Sequence, residues 1–124
     1  PVIKVGNLQS LRTFADVRDA VRAYYLLLTV KPMAGEFYNI GGQFSATVGE
    51  MLEFLIRLST RKDIQIEVDP ERLRPIDADL QVPDTSKFEA HTSWKPEIPF
   101  EKTMLDLLNY WRDQVKRNGQ FLRR

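Results

Sequence analysis

The sequence predicts a small mixed α/β domain on three observations: short β-branched runs cut off by Gly, Asn and Pro, longer segments with apolar residues every three or four positions, and alternation of the two along the chain. Val2, Ile3 and Val5 form a first strand over 2–5 that stops at Gly6-Asn7, and a second strand over 10–15 makes a hairpin or bent strand pair with it. A helix over 16–30 follows, its apolar stripe formed by Val17, Ala20, Val21, Tyr24, Leu27 and Leu28. Two caps compete at its start, Thr13 with Asp16 and Asp16 with Asp19, and Pro32 and Gly35 end it. Residues 36–40 read as a strand closing on Gly41-Gly42. Thr47 and Glu50 then make a capping box for a helix over 48–59 with Val48, Leu52, Leu55 and Ile56 inward. Ile64, Ile66 and Val68 alternate with Gln65 and Glu67 in a strand with one wet face, which stops at Asp69-Pro70. Residues 71–83 lack a period and read as a long loop, the kind of segment that carries function. Asp84 caps a short helix over 85–90, and Trp94, Pro96 and Pro99 make a rigid connector. A last helix over 100–117 turns Met104, Leu107, Leu108, Trp111 and Val115 to one side and stops at Asn118-Gly119.

A chain of 124 residues supports one core, here one domain over 1–124. Eighteen basic against 17 acidic side chains leave a net charge of +1, too balanced to nominate nucleic acid or an anionic membrane as partner. The basic tail with Arg112, Lys116, Arg117, Arg123 and Arg124 reads as a solvated end. There is no cysteine, hence no disulfide and no thiolate chemistry, and the single histidine, His91, excludes metal sites built on a histidine pair. His91 reads as a helix-end or surface residue. The longest apolar run, near 24–30, is too short to span a bilayer, and no secretory signal precedes it, so a soluble, cytoplasmic protein is expected. The chain begins with Pro1 and is already strand-like at Val2, which suggests a start inside a larger protein.

The glycines at 6, 35, 41, 42, 49 and 119 form neither the dinucleotide fingerprint nor a phosphate-binding P-loop. Asp77 and Asp79 are better read as solvated acids than as a cation site, and no catalytic group or metal site is expected. The informative residues are two arginines. Arg12 lies in a strand-like segment and Arg74 sits beside Pro75 in the long loop; if the fold brings them together, their planar donors clamp a diphosphate. Asp77 would then accept hydrogen bonds from a ribose hydroxyl. The alternative is that both arginines are surface ion pairs with Asp16, Asp19 or Glu71.

Eight short stretches carry a resemblance: Val-Gly-Asn-Leu (5–8), Leu-Arg-Thr-Phe (11–14), Asp-Val-Arg-Asp (16–19), Tyr-Asn-Ile-Gly (38–41), Arg-Leu-Arg-Pro (72–75), Asp-Thr-Ser-Lys (84–87), Trp-Lys-Pro-Glu-Ile (94–98) and Leu-Leu-Asn-Tyr-Trp (107–111). In this order they resemble the C-terminal, substrate-binding part of the Rossmann-type extended short-chain dehydrogenase/reductases that act on nucleotide sugars. The Gly-Asn-Leu form is most similar to the GDP-mannose 4,6-dehydratase and GDP-4-keto-6-deoxymannose reductase branch. The resemblance implies a parent enzyme that uses NADP or NAD, a lyase if it is the dehydratase, with the cofactor held by an N-terminal Rossmann domain that also supplies a Ser/Thr, Tyr and Lys catalytic set. No Tyr here is followed four residues later by Lys, so the 124 residues alone are expected to be inactive and to bind no cofactor.

The same resemblance assigns Arg12 and Arg74 to the diphosphate, Asp77 to the ribose, and Asn7 to their vicinity. The implied partners are the nucleotide-sugar substrate, the Rossmann domain and further copies of the chain. Some elements would pack on or join the Rossmann sheet, so apolar surface should be exposed. Two departures stand out: Arg12 is followed by Thr13 where the family commonly has Asp, and Ser93 precedes Trp94 where it commonly has Gly. Another nucleotide-sugar epimerase or dehydratase is an alternative parent, and a noncatalytic α/β module that binds a protein or nucleotide is an alternative of another class.

Overall fold

A computed structural model describes residues 1–74 and 80–117. Its elements run β1 (Val2–Val5), β2 (Leu11–Phe14), α1 (Val17–Thr29), β3 (Phe44–Thr47), α2 (Val48–Leu58), β4 (Gln65–Val68), a 3-10 turn (Pro70–Arg72), β5 (Leu80–Gln81), α3 (Ser86–Thr92) and α4 (Phe100–Arg117). The strands form two small sheets. β1 pairs in parallel with β4, Val2 opposite Gln65 and Val5 opposite Val68. β2 is the middle strand of the other sheet, antiparallel to β3 and parallel to β5.

The hairpin expected from residues 2–15 is not formed. β1 and β2 each find a parallel partner from the later half of the chain, so the Gly6-Asn7 bend passes the chain from one sheet to the other. The strand expected over 36–40 is not one either; the third strand in sequence lies at Phe44–Thr47. Tyr38 and Ile40 pack on the core while Phe37 and Asn39 are exposed, so the alternation that reads as a strand comes from one-sided packing of an unpaired segment. In β3 the mixed composition hides a real strand, whose Ala46 is buried and Phe44 partly exposed.

Asp16 is the cap of α1, accepting from the Arg18 backbone N–H at 2.9 Å. The helix is rotated from the face its apolar spacing suggests: Val17, Val21, Tyr24 and Leu28 are 60–74% exposed, and the buried residues are Asp19 and Ala23. Asp19 sets this rotation. Its carboxylate accepts from the Glu97 and Ile98 backbone N–H groups at 3.0 and 2.9 Å and pairs with Arg22, while its carbonyl accepts from the Trp94 indole at 3.2 Å. Buried polar groups must be satisfied, and these bonds turn the acidic face inward against the 94–98 connector.

The main core is Ala23, Phe88 and Trp94, with Leu26, Leu27, Tyr38 and Ile40 packed on it. The polar tips of buried Trp94 and part-buried Tyr38 are both partnered, the indole by the Asp19 carbonyl and the Tyr38 hydroxyl by His91 Nδ1. A second cluster gathers Phe14, Phe44 and Phe54 around Phe100, with ring centroids 4.3–5.5 Å apart.

α2 starts on the expected capping box, Glu50 N–H to Thr47 Oγ1 at 3.1 Å and Thr47 N–H to Glu50 Oε2 at 2.7 Å. Before α3, Asp84 accepts from the Ser86 N–H, and the helix ends with Ser93 in the left-handed region, φ 57°. In α4, Phe100 and Met104 are buried, whereas Leu107, Trp111 and Val115, expected inward, are 40–55% exposed. Among the described residues no helix is long and apolar enough to cross a membrane. The expected stop at Asn118-Gly119 lies outside the described residues.

Candidate functional site

β1 pairs with β4 and β2 pairs with β5, both in parallel, so the connection between β1 and β2 and the connection between β4 and β5 each lead from one sheet to the other, starting and ending side by side. The shorter spans residues 6–10 and the longer 69–79, which carries Arg72 and Arg74. The two touch at their start: a Cβ on Gly6 would lie 2.6 Å from the Arg72 carbonyl oxygen, so only glycine allows this approach. They meet again at their end, where Leu11 lies opposite Leu80 and Arg12 opposite Gln81.

Asn7 fixes the shorter connection. Its Oδ1 accepts from the Gln9 N–H at 2.9 Å and its Nδ2 donates to the Ser10 hydroxyl at 2.8 Å, a local turn that lets buried Ser10 enter β2. Arg12 is half-buried on β2, with Nη1 donating to the Leu11 carbonyl at 3.0 Å. Arg74 is exposed two residues beyond the 3-10 turn, which Asp69 caps and whose Arg72 pairs with Asp69 at 3.4 Å. Asp77 lies outside the described residues, as do Pro75 and Asp79.

An open cleft of about 520 Å³ lies beside Arg12, lined also by Thr13, Asn39, Gln81 and Pro83 among others. Thr13, which stands where an acidic neighbour of Arg12 was expected, bonds instead to the Ser45 hydroxyl on β3 at 2.9 Å. Gly41 closes one wall against Pro83, whose ring carbon would be 2.6 Å from a Cβ there. No local signal marks Asn39, Gln81 and Pro83 as lining this cleft: Gln81 arrives through the β2–β5 ladder, Pro83 through its packing on Gly41 and Asn39 from the segment after α1.

Two of the acids offered as alternative partners, Asp16 and Asp19, are engaged with other groups. Asp16 is buried and receives Arg18 at 2.7–2.9 Å and the Thr103 hydroxyl at 2.7 Å; the Arg18 bonds above all hold its carboxyl far below the usual range. Arg18 bridges on to Asp106 at 2.8 Å and is raised in turn, chiefly by Asp16. Burial pushes the Asp19 carboxyl up, but the Ile98, Arg22 and Glu97 bonds together outweigh it and bring it below its ordinary value.

His91 closes the last turn of α3, with Nδ1 against the Tyr38 hydroxyl and Nε2 3.1 Å from the Val30 and Lys31 carbonyls, a structural clasp between α3 and the end of α1. Among the described residues no three His, Cys, Asp or Glu side chains gather to hold a metal. Among the described residues Gly6 and Gly41 are pressed against Arg72 and Pro83 and do not line a strand-to-helix turn of the kind that cradles a nicotinamide dinucleotide.

The architecture is that of the extended short-chain dehydrogenase/reductase and epimerase enzymes. The structure of RMD from Pseudomonas aeruginosa complexed with NADPH superimposes with a TM-score of 0.82 over 92% of this chain and 37% of its own, at 26% sequence identity. The family profile of GDP-mannose 4,6 dehydratase matches residues 1–107, and the chain belongs to that family. GDP-6-deoxy-D-mannose reductase of Pseudomonas aeruginosa is 28% identical over 92% of the chain, and dTDP-glucose 4,6-dehydratase of Haemophilus influenzae is 31% identical over 90%. The chain spans 37% and 35% of the lengths of these two relatives. Their names are those of a reductase and a dehydratase of nucleotide sugars, so the family is one of enzymes.

Proposed function

We propose that this chain is the nucleotide-sugar-binding part of an NAD(P)-dependent dehydratase or reductase of the GDP-mannose type, gripping the substrate while a cofactor-binding part beyond these residues does the chemistry. The observation that carries the reading is the pairing of β1 with β4 and of β2 with β5, which sets Arg72 against the Gly6 turn, two residues before Arg74, and brings Gln81 beside Arg12. In this reading Arg12 and Arg74 hold the diphosphate with charge-assisted, planar donors, Asp77 accepts from the ribose, and Asn7 belongs to the same site and keeps the shorter connection in shape. The grip contributes uniform binding energy and fixes where the sugar sits, so that its reacting carbon meets the nicotinamide.

A share of 35–37% of the relatives' length supports a cofactor part outside the chain. So do the bare apolar stripe of α1 and the unpaired 36–40 segment, with Phe37 82% exposed. Both features fit elements that pack on or join a further sheet, and the same bare surface favours self-association. We assign the base as guanine on the family match, with dTDP sugars as the second reading because dTDP-glucose 4,6-dehydratases are among the relatives.

Titration of the chain with GDP-mannose by NMR or calorimetry tests the assignment. Arg12→Ala and Arg74→Ala are each expected to weaken binding by about 1.5–3 kcal/mol, the range for hydrogen bonds to charged groups. Affinity unchanged in both variants ends it.

A further inference from the structure

We infer that Asn39 and Gln81, which no sequence signal marks, are the residues that read the hydroxyl groups next to the diphosphate. The inference rests on the reading of Arg12 given above and deepens it.

Gln81 lies directly opposite Arg12 on the parallel strand β5, and residues opposite one another in a ladder project to the same face. Asn39 reaches the same cleft from the segment after α1, which Gly41 presses against Pro83. The cleft of about 520 Å³ thus gathers a guanidinium-bearing residue and two carboxamide-bearing ones, Arg12, Asn39 and Gln81. Both amide side chains belong to exposed residues, and each is held through its backbone: Ile40, next to Asn39, packs on the Phe88–Trp94 core, and Gln81 is paired with Arg12 in the ladder. The backbone carrying the amides is thus fixed while their ends face the open side.

A carboxamide offers a donor and an acceptor together, and a pair of vicinal hydroxyls presents the complementary set. A guanidinium offers donors only and suits the phosphate oxygens. The cleft therefore divides its work: Arg12 attracts any diphosphate, whereas Asn39 and Gln81 distinguish a diphosphate that carries a polyol from one that does not. The hydroxyls can be those of the ribose or of the hexose, which share this chemistry.

The test titrates the 124-residue chain and its Gln81→Ala, Asn39→Ala and double variants with inorganic pyrophosphate, GDP and GDP-mannose, following amide chemical shifts. Pyrophosphate affinity is expected to be unchanged in all variants. Affinity for GDP-mannose is expected to fall about two- to tenfold per substitution, the equivalent of one neutral hydrogen bond. A loss seen with GDP as well identifies the ribose, and a loss confined to GDP-mannose identifies the hexose; both support the inference. Pyrophosphate binding that depends on Arg12, with GDP and GDP-mannose indifferent to both amide substitutions, overturns it and leaves the diphosphate grip standing. Absence of any shift at Arg12 with all three ligands overturns both. Backbone spectra that match the parent away from the cleft establish that the variants are folded.

Discussion

Ser93 and Asp16 are single positions where local chemistry and fold meet in opposite ways. Ser93 ends α3 at φ 57°, a conformation that costs a side-chain-bearing residue about 1 kcal/mol and glycine almost nothing. Ser93→Gly is therefore expected to stabilise the chain by up to about 1 kcal/mol, read as a rise of a few degrees in Tm. Asp16 is a favourable case: one carboxylate caps α1, receives the Arg18 guanidinium and takes the Thr103 hydroxyl of α4. Its folded-state acidity is stronger than that of a free carboxyl, so the unfolded chain takes up the proton first as pH falls. The stability it lends is complete above about pH 4, near the ordinary aspartate value, and is lost as pH drops through the lower folded value. Asp16→Asn retains a capping oxygen but not the charge. It is expected to cost about 2 kcal/mol at neutral pH and to flatten the dependence of Tm on pH below 4.

At the scale of elements, the sequence was most legible where the signal is local. The Thr47–Glu50 box fixes the start of α2 to the residue, and the four helices lie close to their expected bounds because caps and breakers act within a turn. The pairing of strands was not legible, since the choice of β4 and β5 as partners for β1 and β2 is made across more than sixty residues. The rotation of α1 was misread for a definite reason. Apolar spacing assumes that the most apolar stripe is buried in the same chain, while here the bonds of Asp19 to the 94–98 connector fix the opposite rotation. Arg12 and Arg74 are candidates from their type and setting alone, whereas Gln81 comes beside Arg12 only through the ladder and Asn39 comes to the cleft beside it from the segment after α1. Tyr24→Ser with Leu28→Gln removes two residues of the bare stripe, each more than 60% exposed. This double variant is expected to change unfolding free energy by less than about 0.5 kcal/mol, as for surface substitutions, in chemical denaturation.

The whole molecule carries more surface than its size calls for. The chain exposes 9513 Å², about 2,700 Å² more than the usual scaling gives for a monomer of this mass. An excess of that size is comparable with the area buried in a lasting protein interface. Self-association that grows with concentration is therefore expected for these residues on their own, and the Tyr24→Ser, Leu28→Gln variant should weaken it. Light scattering across a hundredfold concentration range measures both, and a parent chain that stays monomeric throughout contradicts the expectation.

The unequal lengths of the two neighbouring connections have an evolutionary corollary. Since each end of the longer one is anchored by a ladder to a strand beside the shorter one, residues can be gained, lost or exchanged between those anchors without shifting the register of either sheet. Lineages can thus edit one stretch of chain while the neighbouring strands, Arg12 among their residues, are inherited intact.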